Sequence, residues 1–417
     1  MDICVSPSRL HGEVAAIPSK SDAHRLLICA ALASSETKIY LSSSSEDIDA
    51  TCRCLEALGA GISRGNGYIK VVPIKAVPQN PVLDCGESGS TLRFLLPVAA
   101  AICPRSSFTG RGRLPDRPLG ELMKVMEAHG VSFSAARLPF TVSGQLNCGT
   151  YTIPGNISSQ YITGLLLALS AIEGESEIRL SSEAESSAYI DITLHALSRF
   201  GITPGITERG WKIPDSKSYS SPKEIKADGD WSNAAFFLSA AALGHKLTLS
   251  GLDLSSPQGD KDILSVLSSF GANIKNEGNI ISVLPASLHG CTVDARPIPD
   301  LLPILAVVAA CSKGTTRFVN AARLRLKESD RLETTARMLI NLGINAIEKE
   351  DELIVEGGTI IGGKVDGAND HRIVMAAAIA ATVAKNDVTI TTAQAVNKSY
   401  PAFFDVFRNS GGIAYGI

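Results

Sequence analysis

Aromatic residues make up only 5% of the 417 residues, and just two of them are tryptophan. The core must therefore be built from Ala, Leu, Ile and Val, and a basic surface interleaved with stacking rings is not on offer to nucleic acid. Excess charge of one sign is missing too. The 39 Lys and Arg against 42 Asp and Glu leave a net charge of −3, which excludes neither fold nor catalysis but disfavours a polyanionic partner. No run reaches about 18 uninterrupted apolar residues, so no membrane span is predicted. The nine cysteines, at 4, 29, 52, 54, 85, 103, 148, 291 and 311, include no zinc or redox spacing. An odd number of scattered thiols fits a reduced compartment. The opening residues, MDICVSPSRLHGEV, hold no apolar signal-peptide core. A cytoplasmic protein is expected, without metal or cofactor, since no His, Cys and carboxylate cluster has ligand spacing.

What the chain has in place of these features is repetition. Its length predicts about two domains, and 45% hydrophobic residues are enough for a core in each. A unit of apolar helix, short strand, polar loop, amphipathic helix and Gly-containing turn into a further strand begins at 24–63. It returns at 91–134, 160–203, 232–275, 300–347 and 371–414. The spacing, roughly 65–75 residues, exceeds that of a solenoid repeat and suits a small α/β unit with helices packed under a sheet. Six units fit two domains of three. The stretch GWKIPDSKSYSSPKEIKADGDWS (210–232) is the linker candidate, and a second crossover is expected near 10–20.

Charged and hydroxyl residues collect where helices begin. IPSKSDAHR (17–25), CGESGSTLR (85–93), GNISSQYITG (155–164) and GANDHR (367–372) each precede or open an apolar helix. A helix N-terminus presents unpaired N–H groups and a partial positive charge, so Lys, Arg and Ser added there make an anion site. Taken singly, each Ser or Asn reads equally as a helix cap. PDRPLGEL (115–122) adds Arg117. RLRLKESDRL (323–332) has six charged residues in ten, with Lys327 and Arg331 one helical turn apart; a surface salt-bridge lattice would also account for it.

Nine stretches occur in one order: Lys-Ser-x-x-x-Arg (20–25), Gly-x-Ser-Gly-Ser-x-x-Arg (86–93), Asp-Arg-Pro-Leu (116–119), Ser-Ser-Gln (158–160), Tyr-Ile-Asp-Ile-Thr (189–193), Ile-Pro-Asp (298–300), Leu-Lys-Glu-Ser-Asp-Arg (326–331), Asn-Asp-His-Arg (369–372) and Lys-Ser-Tyr-Pro (398–401). From end to end the chain resembles the 5-enolpyruvylshikimate-3-phosphate synthases (3-phosphoshikimate 1-carboxyvinyltransferases) of the enolpyruvyltransferase family. The resemblance implies an α/β fold of two domains, each of three βαβαββ repeats, around a central interdomain cleft. The expected division is 1–13 plus 225–417 against 14–224. The implied reaction moves the enolpyruvyl group of phosphoenolpyruvate to the 5-hydroxyl of 3-phosphoshikimate and releases phosphate, in a monomer that closes on its two small-molecule substrates.

By the same resemblance, Asp300 is the proton acceptor, Glu328 the proton donor, and Lys20 a third catalytic group. Lys20, Ser21, Arg25, Ser158, Ser159, Gln160, Ser186, Tyr189, Asp300 and Lys327 would hold 3-phosphoshikimate. Lys20, Gly89, Arg117, Gln160, Arg331, Arg372 and Lys398 would hold phosphoenolpyruvate. Gly89 stands where the family's glyphosate-sensitive glycine lies. The chain departs from the family at Glu87, more often Asn, at Ser90, more often Thr, and at Arg323, where many members have Asn. The Glu87 carboxylate calls for a cationic partner, Arg93 or a residue of 111–117. Arg323 and Arg325 read as salt-bridge partners. The sister enzyme acting on UDP-N-acetylglucosamine generally has a cysteine in the loop before Arg-Pro, and PRSSFTGRGRLPDRP (104–118) has none. A non-catalytic anion-binding protein on the same repeats would be expected to lack Asp300, Glu328 or Lys20, and all three are present.

Overall fold

Each repeat opens with an apolar helix: Lys20–Ala31, Gly89–Ile102, Ser159–Leu169, Trp231–Ala242, Leu302–Ala310 and His371–Thr382. In a computed structural model, which describes all residues except 184, 186, 216, 217 and 285, five of the six are capped by the side chain just before them. Ser19, Ser88, Ser158, Asp230 and Asp370 each accept a hydrogen bond from a first-turn backbone N–H. Such a cap is worth about 1 kcal/mol. Leu302–Ala310 has no such cap and starts instead with proline in its first turn. These helices are apolar nearly all round because they run through the interior: every residue of His371–Thr382 is buried. The second helix of a repeat, such as Arg331–Asn341, keeps a polar face to solvent.

Among the described residues the strands form six four-stranded sheets of one design. Two parallel strands are followed by two antiparallel ones, as in Val82–Asp84, Arg105–Thr109, Phe140–Gly144 and Val131–Phe133. Alternating burial along strands such as Thr315–Val319 turns one face to the helices. Two sheets exchange their first strand. His11–Ala15 precedes the first repeat but pairs in parallel with Lys246–Ser250 of the fourth, Lys246 opposite His11. Glu224–Lys226 precedes the fourth repeat but pairs with Thr37–Tyr40 of the first. Ile3–Ser6 completes the sheet of the sixth repeat, between Val388–Thr391 and Ile413–Gly416.

The chain thus divides into two compact units, Met1–Ile17 with Asp228–Ile417, and Pro18–Ala227. Each holds three of the six sheets and its own apolar core. A division at 13/14 would cut the strand His11–Ala15, which lies wholly in the first unit. The 210–232 stretch is no simple linker: Gly210–Ile213 and Glu224–Lys226 are strands of the second unit, which runs to Ala227.

In the second unit the helices Gly89–Ile102 and Ser159–Leu169 pack backbone to backbone at Gly164. A Cβ at this position would collide with the Arg93 carbonyl oxygen. Gly164→Ala is expected to destabilise the protein by about 1–3 kcal/mol, the usual cost of overpacking, read from denaturant unfolding; an unchanged midpoint would refute the close approach.

In the first unit, His245 Nδ1 accepts the Leu10 N–H at 3.1 Å, so its proton lies on Nε2, 2.7 Å from Thr382 Oγ1. Burial, and then Arg9 nearby, push this imidazole down to about 4. The unfolded chain takes up that proton near 6.5, so the stabilisation is whole above pH 6.5 and drains away as pH falls toward 4. His245→Asn should therefore flatten the fall in Tm between pH 7 and pH 5. A slope identical to that of the unaltered protein would contradict the assignment.

Candidate active site

The decapeptide 323–332 is not one helix. Ala322–Leu326 is a 3-10 turn, Lys327 is extended, and Asp330 caps a new helix that begins at Arg331. The cap sets that start, because Asp330 Oδ1 takes the Glu333 N–H at 3.1 Å. Lys327 and Arg331 therefore do not share a helix face, yet both reach Asp300. Lys327 Nζ lies 3.3 Å and an Arg331 terminal nitrogen 2.8 Å from Asp300 Oδ1, while Arg372 donates to Oδ2 at 3.0 Å. Arg331 also donates to Glu328 at 2.5 Å and to both oxygens of Asp370, at 3.0 and 3.2 Å. Ser329 Oγ adds a bond to Asp370 at 3.0 Å. Lys398 donates to the Asn369 carbonyl at 2.7 Å, on the loop that leads to Asp370.

Arg331 is 1% exposed and Asp370 is fully buried. Burial works to raise the Asp300 carboxyl, but Arg372, Lys327 and Arg331 outweigh it and hold it well below the usual carboxylate range. Burial pulls the Lys327 ammonium down, against the pull of Asp300. Around Arg331 the burial cost is exceeded by Asp370, Glu328 and Asp300, so the guanidinium stays charged. Three carboxylates and at least three cations are thus locked together, with Asp300 and Glu328 joined through one guanidinium.

The second unit gathers another cluster. Lys20 opens its helix and pairs with Asp47 at 2.9 Å. Arg25 is fully buried. Its Nε donates to Thr193 Oγ1 at 2.8 Å, and its terminal nitrogens to the Ser21 carbonyl at 2.5 Å, the Tyr189 carbonyl at 2.8 Å and Thr163 Oγ1 at 3.3 Å. Ser21 and Tyr189 thus meet Arg25 through backbone oxygens. Ser158 caps the helix that Ser159 opens, with its oxygen 3.3 Å from the Gln160 nitrogen. Gln160 spans two repeats: its Oε1 accepts from Arg93 at 3.2 Å and its Nε2 donates to Ser90 at 2.9 Å. Gly89 is packed so closely that a Cβ there would collide with the guanidinium groups of Arg117 and Arg93. Ser186 lies outside the described residues.

Glu87 sits with its carboxyl against Gly112, inside the 111–117 stretch; a Cβ at Gly112, which has φ +62°, would come within 2.6 Å of the carboxyl carbon. Arg93 bonds Gln160 and the Pro118 carbonyl, the latter at 3.1 Å, which steadies the residue after Arg117. Arg325 does pair on the surface, with Asp330 at 3.0 Å and Glu348 at 2.6 Å.

Three participants escaped the sequence reading. Asp370 sits in the quoted Asn-Asp-His-Arg stretch, where only the arginine was singled out; an acidic residue before a helix looks like a cap, and it is one as well. Arg93 enters the sequence reading as the end of a Gly/Ser turn and a possible partner of Glu87, not as a group that holds Gln160 and the Pro118 carbonyl. The fourth repeat supplied no candidate, yet its Ser232 carbonyl accepts from Arg372 at 3.3 Å and its Ser232 hydroxyl bonds the buried Asp260.

The sequence profile of EPSP synthase (3-phosphoshikimate 1-carboxyvinyltransferase) matches residues 5–407. The 3-phosphoshikimate 1-carboxyvinyltransferase of Clostridium kluyveri is 40% identical over 415 residues, covering 98% of this chain and 97% of that protein. That of Clostridium novyi is 42% identical over 427 residues, with 99% and 98% covered. The solved EPSP synthase of Acinetobacter baumannii superposes with a TM-score of 0.82 at 25% identity, over 100% of both chains. The enolpyruvyl transferase NikO of Streptomyces tendae, at 16% identity and a TM-score of 0.82, shares the fold. With a profile match and relatives that both run nearly the whole length, the chain belongs to the EPSP synthase (3-phosphoshikimate 1-carboxyvinyltransferase) family.

Proposed function

We propose that in this enzyme, which transfers the enolpyruvyl group of phosphoenolpyruvate to the 5-hydroxyl of 3-phosphoshikimate and releases phosphate, Asp300 takes the hydroxyl proton and Glu328 protonates the enol carbon. The observation that carries the assignment is their shared guanidinium: Arg331 bonds Asp300 at 2.8 Å and Glu328 at 2.5 Å. Addition requires an acid for the methylene carbon and a base for the attacking oxygen, and two carboxylates held in different surroundings can supply both. Protonation at carbon makes the adjacent centre electrophilic, the hydroxyl adds to give a tetrahedral intermediate, and elimination expels phosphate.

Asp300 is a weak base while Arg372, Lys327 and Arg331 stabilise its charge. An incoming phosphate or carboxylate draws on the same Lys327, Arg331 and Arg372, and each contact it takes from Asp300 makes that carboxylate more basic. Substrate binding thereby prepares the base. The cations that remain on the phosphate stabilise the charge that builds as it departs.

Lys20, Gly89, Arg117, Gln160, Arg331, Arg372 and Lys398 are the groups we assign to phosphoenolpyruvate. To 3-phosphoshikimate we assign Lys20, Ser21, Arg25, Ser158, Ser159, Gln160, Ser186, Tyr189, Asp300 and Lys327. Arg25 suits an anion because, among the described residues, its hydrogen-bond partners are neutral oxygens, which leave its charge uncancelled by contact. We place the enzyme in the cytoplasm as a monomer; its cysteines are free, as a reduced compartment requires, and no described helix is long and apolar enough to cross a membrane.

The test is phosphate release from phosphoenolpyruvate with and without 3-phosphoshikimate. Release should require both substrates and fall by about 10²–10⁴-fold in Glu328→Gln and in Asp300→Ala, the range for losing a general acid or base. Folded protein that binds 3-phosphoshikimate but releases no phosphate would refute the reading.

A further inference from the structure

The fourth repeat contributes no residue to the proposed substrate contacts, yet it inserts a carboxyl behind them. Asp260 lies in the short turn Gly259–Asp262, and the turn is pinned to the start of the helix Trp231–Ala242. Gln258 accepts the Trp231 N–H at 3.2 Å and donates to the Gly229 carbonyl at 2.8 Å. Asp260 itself is 3% exposed. Its Oδ2 takes the Ser232 hydroxyl, and its Oδ1 is buried with no hydrogen-bond partner among the described residues. From Ser232 the connection runs on through the carbonyl to Arg372, 3.3 Å away, and from Arg372 to Asp300 at 3.0 Å.

An ionised carboxylate with one oxygen unsolvated and unbonded is costly in such a place, and a proton on that oxygen removes the charge. We propose that Asp260 is a positioning residue for enolpyruvyl transfer: as an uncharged carboxyl it seats Ser232, and so leaves the Arg372 guanidinium to Asp300 and to the incoming phosphoenolpyruvate. This rests on the assignment of Arg372 to phosphoenolpyruvate.

The groups facing Asp260 support it. Asp300 across the site and Asp230 at the cap of the neighbouring helix are both acidic, and Arg372 is the facing cation. On its own turn Lys261 is engaged with the carbonyls of Leu254 and Ser256, and Asp262 is a further acid. Burial first, and then Asp300, push the Asp260 carboxyl up to about 7 against the pull of Arg372 and the Ser232 hydrogen bond. Below that pH the residue is neutral. Above it, a second carboxylate competes for Arg372 and repels the anionic substrate.

The experiment is the pH dependence of KM for phosphoenolpyruvate and of kcat between pH 6 and 8.5 for the unaltered enzyme, Asp260→Asn and Ser232→Ala. Phosphoenolpyruvate titrates in this range too, but identically for every variant, so the difference between profiles is what is read. KM in the unaltered enzyme should rise with pH by about tenfold more than in Asp260→Asn, as one pKa unit of coupling gives. Ser232→Ala keeps the carboxyl but loses the hydroxyl that stabilises its charged form, so its rise should begin at higher pH. Parallel profiles in all three, or a loss in Asp260→Asn that is uniform in pH and tracks a lowered Tm, would overturn the proposal while leaving the transferase reading intact. If the unaltered enzyme releases no phosphate, both fall together.

Discussion

The first unit's site depends on keeping one buried guanidinium supplied with acceptors. Arg331, at 1% exposure, could not be left unpaired without a penalty of several kcal/mol. Its partners are drawn from two repeats. Asp300 precedes the first helix of the fifth, Glu328 precedes the second, and Asp370 caps the first helix of the sixth. Asp370 serves twice, since one carboxylate takes the Arg372 backbone N–H and also the Arg331 side chain. The value of so many buried charges lies less in stability than in orientation. Asp300, Glu328 and the cations around them are fixed by one another, so the roles proposed for them ask little reorganisation of the reaction.

The repeating architecture was legible in the chain because each repeat shows the same succession of apolar helix, strand, polar loop and amphipathic helix. Which strand pairs with which was not. His11–Ala15 and Glu224–Lys226 are short and stand at equivalent places before the first and fourth repeats, so either could serve either sheet by local pattern. The choice is made by tertiary packing, and register and partner are not encoded in a strand of three to five residues. The same limit explains the decapeptide: charge density and spacing suggested a helix face, whereas the Asp330 cap breaks the segment and lets Lys327 reach Asp300 in extended form.

The site was legible where a residue's type has one plain use. Lysines and arginines at helix starts in an oily chain announce an anion site. Acids that neutralise them do not announce themselves, because an aspartate before a helix is already explained as a cap. Asp370 shows both uses at once. Asp260 is harder still, since its nearest bond is to a serine and its influence on Arg372 passes through that serine's backbone. Such second-layer groups become visible only when the turn that carries them is seen packed against the helix start.

The two units solve the problem of a buried arginine in opposite ways, and the difference fits different tasks. Arg331 is surrounded by three carboxylates, so its charge is more than matched before any ligand comes. Arg25 is held by two threonine hydroxyls and two backbone carbonyls, with burial pulling its guanidinium down to about 10. Still cationic at neutral pH and over the Phe94 ring at 4.8 Å, it is hydrogen-bonded among the described residues to neutral oxygens, with the Asp22 charge acting on it without a direct bond. An arginine satisfied by neutral oxygens attracts a dianion strongly and gains most of its binding energy from it. An arginine shared among carboxylates attracts it weakly, but yields those carboxylates as it binds. The first arrangement suits capture of a phosphate. The second suits handling of protons, because in the proposed reaction each contact given up by Asp300 or Glu328 to the substrate would alter how firmly that carboxylate holds a proton.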